Sequence, residues 1–171
     1  MATLKMQKAR KEYKCVACGS SIEIGEPYYR FSKTRFMTPQ IRCRKCKPTR
    51  SQMTNSDFMA VMYEYEDSFL AKVSVEDYDD MEDIVEEAKS QLEQIRDAQE
   101  EKKENMPENL QESPTAELLQ ERYEALDMMI DELDSIDTSV ESDDTDTAED
   151  SIRQQKEDIL VEIQGITYDG P

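Results

Sequence analysis

The chain has 171 residues, of which 37% are hydrophobic and 36% are charged, with a net charge of −19. This composition supports only a thin hydrophobic core, and no apolar run approaches the ~20 residues that a membrane-spanning helix needs. The basic N-terminus is followed by no apolar stretch, so we expect no secretory signal, no membrane partner and a cytoplasmic protein with reduced cysteines.

The charge is divided between two parts of the chain. Residues 1–50 hold thirteen Lys or Arg against three Glu, a net of +10, whereas residues 51–171 have a net charge of −29. This asymmetry is typical of a nucleic-acid-binding end joined to an acidic interaction segment. A simpler interpretation of the acidic part is a surface that keeps a thin helical structure soluble.

The basic half is predicted to be an arm followed by a small module. Residues 1–14 lack periodicity, which predicts a flexible basic arm, and residues 15–72 are predicted to form a four-cysteine zinc module with a following helix. The stretch SSIEIGEPYYRF predicts a short β-hairpin that turns at Gly25, and residues 40–42 predict a short strand that leads into Cys43. The helix has Thr54 or Ser56 as its cap and an apolar face of Phe58, Met62, Tyr65 and Phe69.

The acidic half is predicted to be helical. Residues 73–137 form an acidic helical hairpin, residues 138–150 an acidic linker, and residues 151–171 a C-terminal helix and tail. The first hairpin helix is expected to begin at Ser74 and the second at Pro114, after Ser113. Their seams are Tyr78, Met81, Val85, Ala88, Leu92 and Ile95, then Leu119, Arg122, Leu126, Met129, Leu133, Ile136 and Val140, and the last helix adds Ile152, Ile159, Ile163 and Ile166.

These elements predict a fold class and leave the assembly open. The fold is a small α+β zinc finger, a short hairpin plus helix, followed by an all-α antiparallel helical hairpin or three-helix coiled-coil-like bundle. Heptad spacing is compatible with packing inside one chain and with a homodimer through the same helices. Gln99 and Arg122 occupy polar seam positions, which indicates either a register-setting role or the end of close packing.

The four cysteines are the strongest chemical signal. Cys15 and Cys18 form one Cys-x2-Cys pair, Cys43 and Cys46 form a second, and the chain contains no other cysteine and no histidine. Each pair aims two thiolates at one point, and four thiolates make a closed tetrahedral site with no open position for water. We therefore predict one structural Zn²⁺ whose binding contributes folding free energy. Gly19 stands where such a knuckle needs a positive φ angle.

The cysteine-bearing segments resemble a known group of zinc modules. The sequence CVACGSSIEIGEPYYRF, followed by IRCRKCKP, looks like treble-clef and zinc-ribbon fingers. The run I-x-x-G-x-x-Y-Y is similar to zinc modules in uncharacterised proteins of bacterial and archaeal viruses. The stretch MPENLQESPTAELLQERYEALDMMIDELDSI resembles the helical tail of those proteins, which implies a location in the host-cell cytoplasm. A weaker likeness is to the nick-sensing fingers of poly-ADP-ribose polymerases, which have a His among their ligands where this chain has Cys43.

The basic module predicts contact with nucleic acid. Cations neutralise phosphates, and aromatic rings such as Tyr28 and Tyr29 can stack on bases or can instead form the core of the module. The acidic helices are predicted to engage a protein partner or to mimic nucleic acid as inhibitors of a host factor. A third interpretation is self-inhibition, in which residues 138–150 cover the basic module until nucleic acid displaces them. A protein–protein adaptor is the competing function. The predicted nucleic-acid contacts are Lys14, Arg30, Lys33, Arg35, Arg42, Arg44, Lys45 and Lys47.

An enzymatic function is not expected. The chain has no histidine to act as a base, no glycine-rich phosphate loop, and no serine or cysteine nucleophile with a plausible partner.

Overall fold

The computed structural model describes residues 3–34, 36–140 and 148–170 of the chain. It divides into two compact units, residues 1–64 and residues 65–171. The first is a small α+β module that carries the four cysteines and the second is helical, so the predicted fold class is confirmed. Within the described ranges, no helix is long and apolar enough to cross a membrane.

Five short strands form two sheets in the N-terminal unit. Strands β1, β4 and β5 make a three-stranded antiparallel sheet in the order β1-β4-β5, and β2 pairs with β3 in a separate antiparallel ribbon. The strands are β1 (Thr3–Lys8), β2 (Tyr13–Lys14), β3 (Ser21–Ile22), β4 (Pro27–Ser32) and β5 (Gln40–Cys43).

Two local predictions for this unit differ from the structure. The segment predicted to be a flexible arm contains β1, which pairs along its whole length with β4, and also β2. The predicted hairpin around Gly25 does not form, because β3 pairs with β2 and leaves β4 to β1 and β5. Strand pairing depends on partners far along the chain, so a local alternation of residue types locates a strand without naming its neighbour. The strand predicted before Cys43 is confirmed as β5.

Two helices complete this part of the chain. Helix α1 (Arg50–Met53) begins after Thr49, whose hydroxyl accepts from the Gln52 amide in a capping box. Ser56 precedes helix α2 (Asp57–Glu64), and its hydroxyl accepts from the Met59 amide at 3.2 Å. Of the two residues predicted as caps, Ser56 therefore makes the capping hydrogen bond. The chain continues as a π-helical segment, Tyr65–Leu70.

The helical unit contains three long helices among its described residues. They are α3 (Met81–Glu104), α4 (Pro114–Asp134) and α5 (Ala148–Gly165), with a short 3₁₀ turn at Glu108–Leu110. Helix α4 begins as predicted, with Ser113 as its cap and Pro114 in its first turn. Helix α3 begins seven residues later than Ser74, because Asp80 caps it by accepting from the Glu82 amide while Ser74 closes only a local turn.

Helices α3 and α4 run antiparallel, as the hairpin prediction requires. Polar bridges connect them at intervals of seven residues, and each step forward along α3 is matched by an equal step backward along α4. A repeat of two helical turns on both partners keeps one face of each helix against the other. The bridges are Lys89 Nζ–Asp134 Oδ1 at 2.5 Å, Arg96 Nη1–Asp127 Oδ1 at 3.0 Å and Lys103 Nζ–Gln120 Oε1 at 2.5 Å.

The core of this unit follows the predicted seams closely. Apart from Tyr78, which lies before α3, every predicted seam residue of α3 is buried; on α4, Arg122 is half-buried. Helix α5 contributes Ile159 and Ile163, and Lys156 Nζ donates to the Asp79 carbonyl at 2.8 Å in the segment before α3. Most of the predicted acidic linker, residues 141–147, lies outside the described residues.

Candidate metal centre

The two cysteine pairs converge on one point. The four Sγ atoms of Cys15, Cys18, Cys43 and Cys46 all lie within 4.8 Å of one another, and Cys18 Sγ and Cys43 Sγ are 3.7 Å apart. Zinc–thiolate bonds of about 2.3 Å in a tetrahedron place the sulfurs about 3.8 Å apart, whereas a disulfide needs about 2.05 Å. The cysteines are free thiols, and their arrangement is compatible with a metal ion.

Both knuckles are held by backbone hydrogen bonds to the small sheets. Cys15 follows β2, and its amide donates to the Ser20 carbonyl at 2.9 Å while its carbonyl accepts from the Gly19 amide at 2.8 Å. Gly19 has a φ of +73°, the left-handed conformation predicted for it. The Val16 amide donates to the Ile41 carbonyl at 2.9 Å, which connects the first knuckle directly to β5. This bond brings Cys43, at the end of β5, to the first cysteine pair.

The centre is embedded in the small core of the N-terminal unit. Cys15 is buried with Ala9, Ile22 and Tyr28, and half-buried residues, including Cys43 and Cys46, pack against this cluster. Tyr28 therefore belongs to the core, which was one of the two roles open to it. The four cysteines thus share a core of a few side chains, so a metal ion held by them would stabilise the folded form of this unit.

Hydrogen bonds within the cluster shift the pKa values of Cys18 and Cys46 in opposite directions. The Ser20 hydroxyl lies 3.1 Å from Cys18 Sγ, and hydrogen bonds from its side chain and backbone lower the pKa of Cys18 to about 6, because they stabilise the thiolate. Hydrogen bonds shared with the Cys18 and Cys43 side chains raise the pKa of Cys46 to about 12. A cation bound among the sulfurs would favour the ionised form of all four thiols.

The predicted nucleic-acid contacts lie in different environments. Lys14 is exposed beside the first knuckle, Lys33 is half-buried after β4, and Arg35 lies outside the described residues. Arg30 is exposed in the centre of β4. The second knuckle carries exposed cations, Arg44, Lys45 and Lys47.

Arg42 is engaged within the N-terminal unit. Its guanidinium lies over the Phe31 ring, 5.1 Å from the centroid, and its Nη1 donates to Gln52 Oε1 at 2.6 Å. These contacts join the sheet to α1, so the side chain contributes to packing as well as charge.

A basic groove on the three-stranded sheet was missed by the sequence reasoning. It consists of two adjoining cavities of about 280 and 630 Å³ that share Gln7 and Arg30. The cations that line this basic groove are Lys5, Lys8, Arg10 and Arg30. Three of them belong to the segment predicted to be a flexible arm, and the only local sign of a strand there was the short alternation Leu4-Lys5-Met6-Gln7.

Like charges face each other in the basic groove. Lys5 on β1 is directly opposite Arg30 on β4 in the antiparallel register. Both side chains are exposed, and no ion pair connects either of them to a carboxylate among the described residues of this unit. Like charges directly opposite in a sheet are destabilising. The arrangement therefore suits an anion bound between them.

The chain has no recognisable relative in three comparisons with known proteins: no protein-family model, no curated protein and no solved structure matches it.

Proposed function

We propose that the four cysteines bind one structural Zn²⁺. Soft thiolates select zinc and iron–sulfur chemistry over hard cations, and a single tetrahedral set of four cysteines is typical of structural zinc. The closed ligand set leaves no position for a substrate, so the metal serves the fold. Metal analysis of the purified chain tests this, with one zinc per chain expected. A stoichiometry near zero, or an iron–sulfur absorption spectrum, contradicts it.

We further propose that the N-terminal unit binds nucleic acid through the basic groove. The observation that carries this proposal is the groove itself, which four cations line and no carboxylate lines among the described residues. Residues 1–64 have a net charge of +8. Phosphates are the anions best suited to a row of cations, and their binding releases counterions from the nucleic acid.

The Lys5–Arg30 pair supports an anionic polymer as the ligand. A single cross-strand pair can clamp one phosphate, while Lys8 and Arg10 continue the charge toward the end of β1. The Lys5–Arg30 pair on the sheet and the cations Lys8 and Arg10 at and beyond the end of β1 offer positions for more than one phosphate. The exposed cations of the second knuckle form an alternative contact surface that variants can separate from the basic groove.

Fluorescence anisotropy with the full-length, zinc-loaded chain tests this proposal. Labelled single-stranded and duplex oligonucleotides are titrated at salt concentrations from about 50 to 200 mM. Each phosphate contact that a variant loses makes the binding constant depend less steeply on salt concentration. Arg30→Gln is expected to weaken binding, while Lys102→Gln, an exposed charge change on α3, leaves it unchanged. The double variant Arg44→Gln/Lys45→Gln reports on the second knuckle.

Two results refute the basic groove as the nucleic-acid site. The first is no detectable binding at about 50 mM salt, and the second is binding that Arg30→Gln does not change. The first outcome favours the protein–protein adaptor or nucleic-acid mimic, because residues 65–171 have a net charge of −27. Such a surface resembles a polyanion to a basic partner. We propose a regulatory role for the acidic helices. We also propose that the protein has no enzymatic activity.

A further inference from the structure

The larger cavity of the basic groove is lined by aromatic residues as well as by cations. Its volume is about 630 Å³, and Tyr13 and Tyr28 line it beside Lys8, Arg10 and Arg30. All of these residues belong to the N-terminal unit. Phosphate binding requires only the cations, so it leaves the aromatic side of the cavity without a ligand group.

The strand register places cationic and aromatic side chains on one face of the sheet. Gln7 pairs with Tyr28, and Lys5 pairs with Arg30 two residues away along both strands. Side chains two residues apart along a strand point to the same face. The Tyr28 hydroxyl donates to Gln7 Oε1 at 3.1 Å, which shows that this pair shares the face. The Lys5–Arg30 pair is therefore the direct neighbour of the Gln7–Tyr28 pair.

Tyr13 is the aromatic residue of this cavity that a ligand can reach. Tyr28 is only 5% exposed and belongs to the core, whereas Tyr13 is half-buried and packs against that core. The two ring centroids are 5.2 Å apart, so Tyr28 holds the Tyr13 ring in position. The exposed Lys11 extends over the Tyr13 ring, with its Nζ 5.5 Å from the centroid. Such exposed cation–π contacts are weak, so an aromatic ligand can displace Lys11 from the ring toward an adjoining phosphate.

Gln7 supplies a hydrogen-bonding group beside the two rings. One half of its amide is engaged, because Oε1 accepts from the Tyr28 hydroxyl. The other half, Nε2, has no hydrogen-bond partner among the described residues. Side-chain amides recognise the edges of bases, and an unpaired base exposes acceptors on its Watson–Crick edge. An aromatic ring and an amide donor next to a cation pair match the parts of one nucleotide.

We propose that this cavity binds an unpaired nucleobase, so that the basic groove selects single-stranded over duplex nucleic acid. The base stacks on the Tyr13 ring and accepts from Gln7 Nε2, while the Lys5–Arg30 pair binds an adjoining phosphate. In a duplex each base is stacked and paired within the helix, so it does not enter the cavity. This selectivity rests on the proposed nucleic-acid binding by the basic groove.

Two single strands of equal length separate base contact from charge. The first is a thymidine oligonucleotide, and the second has the same phosphates but abasic tetrahydrofuran residues. The counterion contribution to binding is thus matched between the two strands. The full-length, zinc-loaded chain is expected to bind the thymidine strand at least about fivefold more tightly, as expected for one base stacked on an aromatic ring.

Matched variants assign the base contact to Tyr13. Tyr13→Leu keeps an apolar side chain against the core and removes the ring. Tyr29→Leu makes the same change at another half-buried residue, on the opposite face of β4. Tyr13→Leu is expected to lower the affinity for the thymidine strand to that for the abasic strand, with abasic binding, duplex binding and zinc content unchanged. Tyr29→Leu is expected to retain the full difference between the two strands.

A fluorescent base provides a second readout that requires no variant. The fluorescence of 2-aminopurine falls when the base stacks on an aromatic ring. A thymidine strand with a single 2-aminopurine is therefore expected to lose fluorescence saturably when the unsubstituted chain binds it, and Tyr13→Leu is expected to abolish this loss.

Three results overturn the nucleobase site. The first is equal affinity for the thymidine and abasic strands, with Arg30→Gln weakening both, which leaves the basic groove as a phosphate site and removes only the base contact. The second is an equal loss of affinity for both strands in Tyr13→Leu, which assigns the ring to folding of the N-terminal unit. The third is unchanged 2-aminopurine fluorescence in the bound strand. By contrast, no binding of either strand refutes nucleic-acid binding by the groove itself.

Discussion

Replacing Lys5 with threonine is expected to improve the sheet while weakening nucleic-acid binding. Lys5 and Arg30 are directly opposite on β1 and β4, where Cβ atoms are about 5 Å apart. Two unit charges as close as these Cβ atoms would repel by roughly 0.8 kcal/mol in water, which is an upper limit because the charges lie at the ends of long exposed side chains and are screened by salt. Threonine also favours strands. We expect a local stabilisation of about 0.5 kcal/mol, the lower half of the usual range for cross-strand pairs.

Hydrogen exchange at the β4 amides measures this local effect. A gain of about 0.5 kcal/mol slows exchange roughly twofold in the zinc-loaded chain, without requiring the two units to unfold together. The same variant loses one cation from the basic groove, so its salt-dependence slope should fall by about 0.9 on duplex or about 0.7 on single-stranded nucleic acid. Lys102→Thr, which removes the same charge from an exposed position on α3, serves as the control for the slope.

Hydrogen exchange tests the repulsion between Lys5 and Arg30, and the salt slope tests the contact of Lys5 with a phosphate. Faster exchange in Lys5→Thr means that the Lys5 stem packs favourably and that the facing charges impose no cost. A weaker affinity with an unchanged salt slope means that Lys5 does not contact a phosphate. Slower hydrogen exchange combined with unchanged nucleic-acid affinity means that Lys5 and Arg30 repel each other but that Lys5 does not contact the nucleic acid.

Three further outcomes follow from the metal centre and the helical core. Cys43→Ser should lose its metal at a chelator concentration that leaves the unsubstituted chain loaded, and an unchanged metal content excludes Cys43 as a ligand. Because only thiolates bind the metal and Ser20 lowers the pKa of Cys18, Ser20→Ala should release zinc at a higher pH during acidification, measured with a zinc-sensitive dye; release at the same pH refutes this role for the hydroxyl. Leu126 is fully buried, so Leu126→Ala should destabilise the helical unit by about 2–5 kcal/mol in urea unfolding followed by circular dichroism. The control Val161→Ala, at a position 66% exposed, should change stability by less than about 0.5 kcal/mol, and equal losses in both variants contradict the assignment of the core.

The helices and the cysteine cluster were the parts most open to prediction from sequence. Heptad spacing identifies buried faces because the helical period is local, and the seams of α3 and α4 are buried almost as predicted. The first turn of α4 is also local, since Ser113 and Pro114 specify it by themselves. The start of α3 was less predictable, because Ser74 and Asp80 are both competent caps.

The spacing of Cys15, Cys18, Cys43 and Cys46 is enough to predict one four-thiolate site. Two residues within a Cys-x2-Cys turn must lie close together, and no other cysteine or histidine competes with them. How the two cysteine pairs meet depends on the fold, through the Val16–Ile41 hydrogen bond and the pairing of β5 with β4. The fold likewise places Lys5 opposite Arg30, although the two residues are twenty-five positions apart in the sequence. Such contacts depend on strand register, which no local pattern in residues 1–14 specifies, and this is why the basic groove emerged only from the fold.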